Sequence, residues 1–136
     1  YFSIFGSADY LEKNGEPKRL DDLKHHIIIG SSGGIANFMQ TKLLLDMSKG
    51  ASVTFTTDNL MNQLAAVKAG FGLMVLPTYM AIEAPELRQV LVDEFYPSLD
   101  VWILTHKDLI QIERIRALTD FLVDGIGEKL KEFTKP

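Results

Sequence analysis

A chain of 136 residues with 46% hydrophobic and 24% charged side chains has ample material for a core, which excludes disorder as its main state. Its 14 basic and 18 acidic residues give a net charge of -4 and form no basic stripe, which argues against direct binding of nucleic acid. The absence of cysteine excludes a disulfide framework, a thiolate zinc site and a cysteine nucleophile, and no run of about 18 apolar residues marks a membrane span.

The length suits one domain, or one lobe of something larger. The chain opens at Tyr1 rather than Met, and residues 1–5 already alternate like a strand, so it reads as a piece of a longer chain. Ser7 is placed to cap a short helix over 8–13, which Asn14-Gly15 stops. Glu16-Pro17 marks a loop, and 20–24 reads as one helical turn. The β-branched run Ile27-Ile28-Ile29 predicts a buried strand closed by Gly30. Beyond the Gly30-Ser31-Ser32-Gly33-Gly34 loop, Ile35, Phe38, Met39, Leu43 and Met47 fall at roughly helical spacing. A β-hairpin through the same residues is the competing reading. Residues 52–55 alternate as a strand. Thr57 or Asp58 then caps a helix whose apolar face is Leu60, Leu64 and Val67, and Gly70 closes it. A strand over 72–76 stops at Pro77, a short helix over 78–84 stops at Pro85, and strands follow over 87–92 and 101–104. Ile112, Ile115, Leu118, Leu122 and Ile126 predict a long amphipathic helix over 108–131. Alternation of strands with helices predicts an α/β fold with a mostly parallel sheet flanked by helices. The clearest linker signal lies over 95–100, at Pro97 and Ser98.

Little of this chemistry suggests catalysis. His25, His26 and His106 show no metal-ligand spacing, and no nucleophile elbow or phosphate loop of the GxxxxGKS type occurs. We expect no catalytic residue, metal or cofactor. Two strand-to-helix turns have the composition of a binding cleft. In the first, glycine amides with Ser31, Ser32 and Gly33 could face an anion; the plain alternative is a flexible surface connection. In the second, the Thr56 and Thr57 hydroxyls and the first free amides of the helix could hold a carboxylate; the plain alternative is N-capping. Ligands of open α/β sheets settle outside the carboxyl ends of strands, where both turns lie. Asp58 argues against a strongly anionic group directly above it.

The segment Leu64-Ala65-Ala66-Val67-Lys68-Ala69-Gly70-Phe71-Gly72-Leu73-Met74-Val75-Leu76-Pro77 resembles the AAVxAGxGxxxLP stretch of LysR-type transcriptional regulators. Ala8-Asp9-Tyr10-Leu11, Gly15-Glu16-Pro17 and Leu20-Asp21-Asp22-Leu23 resemble an earlier stretch of their effector-binding domain. Asn59-Leu60, then Val101-Trp102-Ile103-Leu104-Thr105-His106 and the run from Arg114 to Leu122, are similar to later ones in the right order. Residues 33–50 match nothing firmly. The resemblance implies a type 2 periplasmic-binding-protein-like fold of two lobes, with a small effector between them. It implies that 1–105 is the second lobe and 106–136 a helix returning to the first lobe. The first lobe and a winged helix-turn-helix, through which DNA would be bound, would lie outside this chain. A cytoplasmic, homo-oligomeric regulator sensing a small organic acid or similar molecule is the resulting expectation, with no membrane partner. A solute-binding protein of a transport system, on the same fold, is the alternative.

Overall fold

The computed structural model describes residues 1–81 and 83–132. The chain divides after Pro97 into two units, Phe2–Pro97 and Tyr1 with Ser98–Pro136.

In the first unit the described order is β1 (Phe2–Ser7), α1 (Ala8–Asn14), a 3₁₀ turn (Leu20–His25), β2 (Ile27–Ser31), a second 3₁₀ turn (Gly33–Asn37), α2 (Met39–Met47), β3 (Ser52–Thr57), α3 (Leu60–Lys68), β4 (Met74–Pro77), α4 (Thr78–Ala81) and β5 (Leu87–Val90). β2 and β3 pair in parallel, and a parallel bridge joins Ile28 to Leu73 just ahead of β4. β1 lies antiparallel between β4 and β5. Hence β3, β2, β4 and β5 all run one way and β1 alone runs the other. The mostly parallel α/β reading holds.

Strand alternation sends successive side chains to opposite faces. Ile4, Ile28, Leu73 and Val75 enter one core cluster with Tyr10 of α1, Leu23 and Leu44 of α2. Phe5, Ile29, Met74 and Leu76 enter a second cluster with Ala66 and Val67 of α3. The sheet is therefore covered on both sides, as a parallel sheet requires.

Local chemistry explains the element ends. The Tyr10 amide donates to Ser7 Oγ at 3.2 Å, so Ser7 caps α1 as its position predicts. The Asp22 carboxylate accepts from the Lys18 and Arg19 amides, each at 2.9 Å, and closes the first 3₁₀ turn. Those amides, Lys18 first, hold the exposed Asp22 carboxyl below its ordinary range. Gly70 ends α3 at φ 78°, the left-handed conformation its C′ place needs.

Several expectations are corrected. The helical spacing from Ile35 to Met47 does not form one helix. A 3₁₀ turn and α2 meet at Phe38, whose extended backbone (φ -65°, ψ 139°) breaks the run, and α2 has no side-chain cap there. The helix after Pro77 spans only Thr78–Ala81, and residue 82 of the expected span lies outside the described residues. β5 stops at Val90, because Leu91 turns to φ 55° and its carbonyl accepts from Glu94 and Phe95.

In the second unit the strand expected over 101–104 is absent. Trp102 is 77% and Leu104 90% exposed, and no described strand pairs with them. An alternating apolar sequence becomes a strand only when a partner satisfies its backbone. The long helix, α5 (Glu113–Glu132), begins five residues late because turns bonded to the His106 and Leu109 carbonyls precede it. Residues 133–136 lie outside the described residues.

Candidate functional site

The parallel register sets Gly30 beside Thr56 and Ser31 beside Thr57. Alternation then decides which side chains meet. Ile29 and Phe55 point to the α3 side, so Ser31 and Thr57, two residues on, share that side. Thr56 points the other way; its methyl lies 2.8 Å from the place a Cβ on Gly30 would take. The structure thus brings Ser31 and Thr57 together and separates Thr56 from them.

The expected capping of α3 is also corrected. Neither Thr57 nor Asp58 caps the helix. Asn59 does, with its Oδ1 accepting from the Met61 amide at 2.8 Å and the Asn62 amide at 3.2 Å. Asparagine has the reach to satisfy both donors from one position. Those amides are therefore spent inside the protein. Thr57 Oγ1 instead accepts from the Asn59 amide at 3.2 Å, which fixes the approach to the cap. The Ser32 amide is likewise taken, by the Thr57 carbonyl at 3.0 Å, tying the two turns together. Gly33 lies against Asp58 with φ 57°, and an added Cβ would stand 3.1 Å from the Asp58 Cβ. The carboxylate beside Gly33 leaves the Ser31–Thr57 side as the better place for a negatively charged ligand.

Beneath this end of the sheet the interior is filled. The cavity between Gly30, Ser31, Leu44 and Val75 measures about 10 Å³, scarcely one water. A ligand larger than water must sit outside the strand ends, where Ser31, Ser32 and Thr57 are half-buried and Gly33 is exposed. Among the described residues, no group of three or more histidines or acids could hold a metal.

Sequence reasoning missed Gln63. Its Nε2 donates to Ser31 Oγ at 2.7 Å and to the Gly30 carbonyl at 3.3 Å, from a side chain 1% exposed. A signal was there to be read: residue 63 lies on the apolar stripe of α3, three after Leu60 and four before Val67. His26 is buried and meets the Tyr10 hydroxyl at 3.3 Å through Nδ1. Exposed His106 accepts from the Asp108 amide within the second unit, at 3.3 Å.

The sequence model of the LysR substrate binding domain matches residues 2–127. The chain belongs to that family. Among solved structures, this LysR substrate-binding domain is similar to the regulatory domain of CrgA, a LysR-type transcriptional regulator of Neisseria meningitidis. That likeness has 22% identity and a TM-score of 0.65, over 90% of this chain and 63% of that one. Full-length AphB, a virulence activator of Vibrio cholerae, matches at 20% identity and a TM-score of 0.60, over 90% of this chain and 43% of that one. An ancestral arginine-binding protein bound to glutamine matches at 16% identity and a TM-score of 0.56, over 99% and 60%. These likenesses show the fold, which is periplasmic-binding-protein-like. The chain spans less than two thirds of the length of each of these structures. No curated protein sequence matched.

Proposed function

We propose that this LysR substrate-binding domain is the second lobe of a sensor in a transcriptional regulator. It binds a small organic acid outside the ends of β2 and β3 and catalyses nothing. The carrying observation is the Ser31–Thr57 pair, side by side at the C-terminal ends of adjacent parallel strands. Thr57 is the principal hydroxyl donor, Ser31 its neighbour, and Ser32 and Gly33 form the open rim. Thr56, on the other side of the sheet, lines a separate edge of the cleft.

In this reading residues 1–105 form the lobe and 106–136 return to a first lobe that lies outside the chain. The exposed Trp102 and Leu104, together with Leu118 and Phe121 of α5, support that assignment, since apolar groups left open at this density suit a further surface. The effector bridges the two lobes, favours their closed state and so shifts the geometry of a homo-oligomer. DNA is contacted by a winged helix-turn-helix outside the chain, in keeping with the net charge of -4 here. The regulator works in the cytoplasm. No helix among the described residues is long and apolar enough to cross a membrane. The likeness to an arginine-binding protein supports a second reading, a transport solute-binding protein. The sequence ahead of Tyr1 separates them: a helix-turn-helix favours the regulator, an export signal the transporter.

The test is a thermal-shift screen of the full-length protein against small mono-, di- and aromatic carboxylic acids. At least one acid should raise the melting temperature, and Thr57→Val should weaken that acid about tenfold, the worth of one hydrogen bond to a charged group. Unchanged affinity in Thr57→Val overturns the site.

A further inference from the structure

We propose that Gln63 is the positioning residue of this site: it turns the Ser31 hydroxyl outward as a hydrogen-bond donor, so that the site selects an anionic acid over its neutral amide. The inference rests on the effector reading above and adds the device that gives the site its charge preference.

The direction of the hydrogen bonds follows from chemistry. The Gly30 carbonyl can only accept, so the Gln63 group 3.3 Å from it must be the amide nitrogen. That nitrogen has two hydrogens. One goes to the Gly30 carbonyl and the other to Ser31 Oγ at 2.7 Å. An amide nitrogen accepts nothing in return. Ser31 Oγ is therefore an acceptor toward Gln63, and its own hydrogen is directed away from α3.

Thr57 has the same polarity for a different reason. Its Oγ1 accepts from the Asn59 amide at 3.2 Å, which leaves its hydrogen free to donate. The two residues are register partners on one side of the sheet. Two neighbouring hydroxyls thus have oxygens engaged by the protein and hydrogens left for a ligand. A carboxylate accepts both. A neutral amide has one oxygen to accept them where a carboxylate has two, and it lacks the charge that strengthens both bonds.

The burial of Gln63 fits this role. A side chain 1% exposed is held in one place, and an apolar residue of similar length could pack α3 on β2 without burying an amide. What glutamine adds there is the orientation of Ser31.

The experiment is isothermal calorimetry on the full-length protein. Acetate, succinate and benzoate are titrated, each beside its amide: acetamide, succinamide and benzamide. Wild type, Gln63→Met, Ser31→Ala and the double variant are compared. Gln63→Met should weaken the bound acid about tenfold while leaving its amide within about twofold, so the acid-over-amide ratio falls. In the Ser31→Ala background, Gln63→Met should cost less than about twofold more, because its partner is already gone. A wild-type ratio in Gln63→Met overturns the proposal, as does a full second loss in the double variant. If Gln63→Met does not fold, Ser31→Ala decides alone, and an unchanged ratio there overturns it. Should none of the three acids bind wild type, the organic-acid reading fails and takes this one with it. Binding with an unaltered ratio sinks only the role of Gln63.

Discussion

Buried polar side chains between Phe2 and Pro97 differ in how they are satisfied. Tyr10 Oη accepts from the Ile27 amide at 2.9 Å and stands 3.3 Å from His26 Nδ1. The neutral tautomer with an unprotonated Nδ1 accepts the tyrosine hydrogen, and a ring protonated at Nδ1 donates to Oη instead. Burial, with His25 adding to it and Asp22 opposing it, holds His26 below its ordinary value near 6.5. A folded-state value below the unfolded one means that the unfolded chain binds the proton first. Stability is thus full above the unfolded value and falls as pH drops through it toward the folded one. Melting temperature should decline on acidification through that window, and His26→Gln should flatten the decline; parallel curves would contradict this. Gln40 is the opposite case. Its Oε1 is buried without a partner among the described residues, from a side chain 4% exposed. Gln40→Leu should leave stability equal or raise it by about 1 kcal/mol, read by urea unfolding. A clear loss would show that the oxygen has a partner in solution. The Ser31 and Thr57 hydroxyls were legible in the sequence because they follow apolar strands. Gln63 was not read, because a glutamine in a helix looks like a solvated residue until its place on the apolar stripe is noticed.

At the scale of elements, caps and close backbone approaches set the boundaries. Asn59 satisfies two amides of α3, so Asn59→Ala should cost about 1 kcal/mol, whereas Asp58→Ala should cost little. Chemical denaturation of the two variants reads the difference. Gly72 has φ 154°, and any Cβ there would run into the Ile27 carbonyl, to which the Leu73 amide donates at 2.8 Å. Gly72→Ala should destabilise by several kcal/mol, since the obstacle is backbone and cannot turn aside. Gly125 is the control: nothing lies near its absent Cβ, and Gly125→Ala should gain up to about 1 kcal/mol in α5. A Gly72→Ala protein as stable as wild type would refute the close approach. The glycine and proline punctuation made most elements readable in advance. Two were misread, each for its own reason. Residues 35–47 and 101–104 have the right apolar rhythm, but the extended backbone at Phe38 overrides the first and the lack of a partner among the described strands overrides the second.

The molecule as a whole joins a sheet covered on both faces to a second unit rich in exposed apolar groups. The α/β class and the mostly parallel sheet were legible because apolar β-rich runs such as Ile27–Ile29 alternate with helical stripes such as Leu60, Leu64 and Val67. The antiparallel place of β1 was not, since no local pattern records which neighbour a strand finds. The candidate site was legible only in part: β3 runs on to Thr57 beyond the strand expected over 52–55, so alternation splits Thr56 from Thr57, and the register with β2 sets Thr57 beside Ser31. The proposed site places a small acid outside the ends of β2 and β3. Hydrogen–deuterium exchange on the full-length protein, with and without the acid that stabilises it most, tests this most directly. Exchange should slow in residues 31–34 and 57–60, with the far ends of β2 and β3 unchanged. Protection confined to other segments, or none in these two turns, would contradict it.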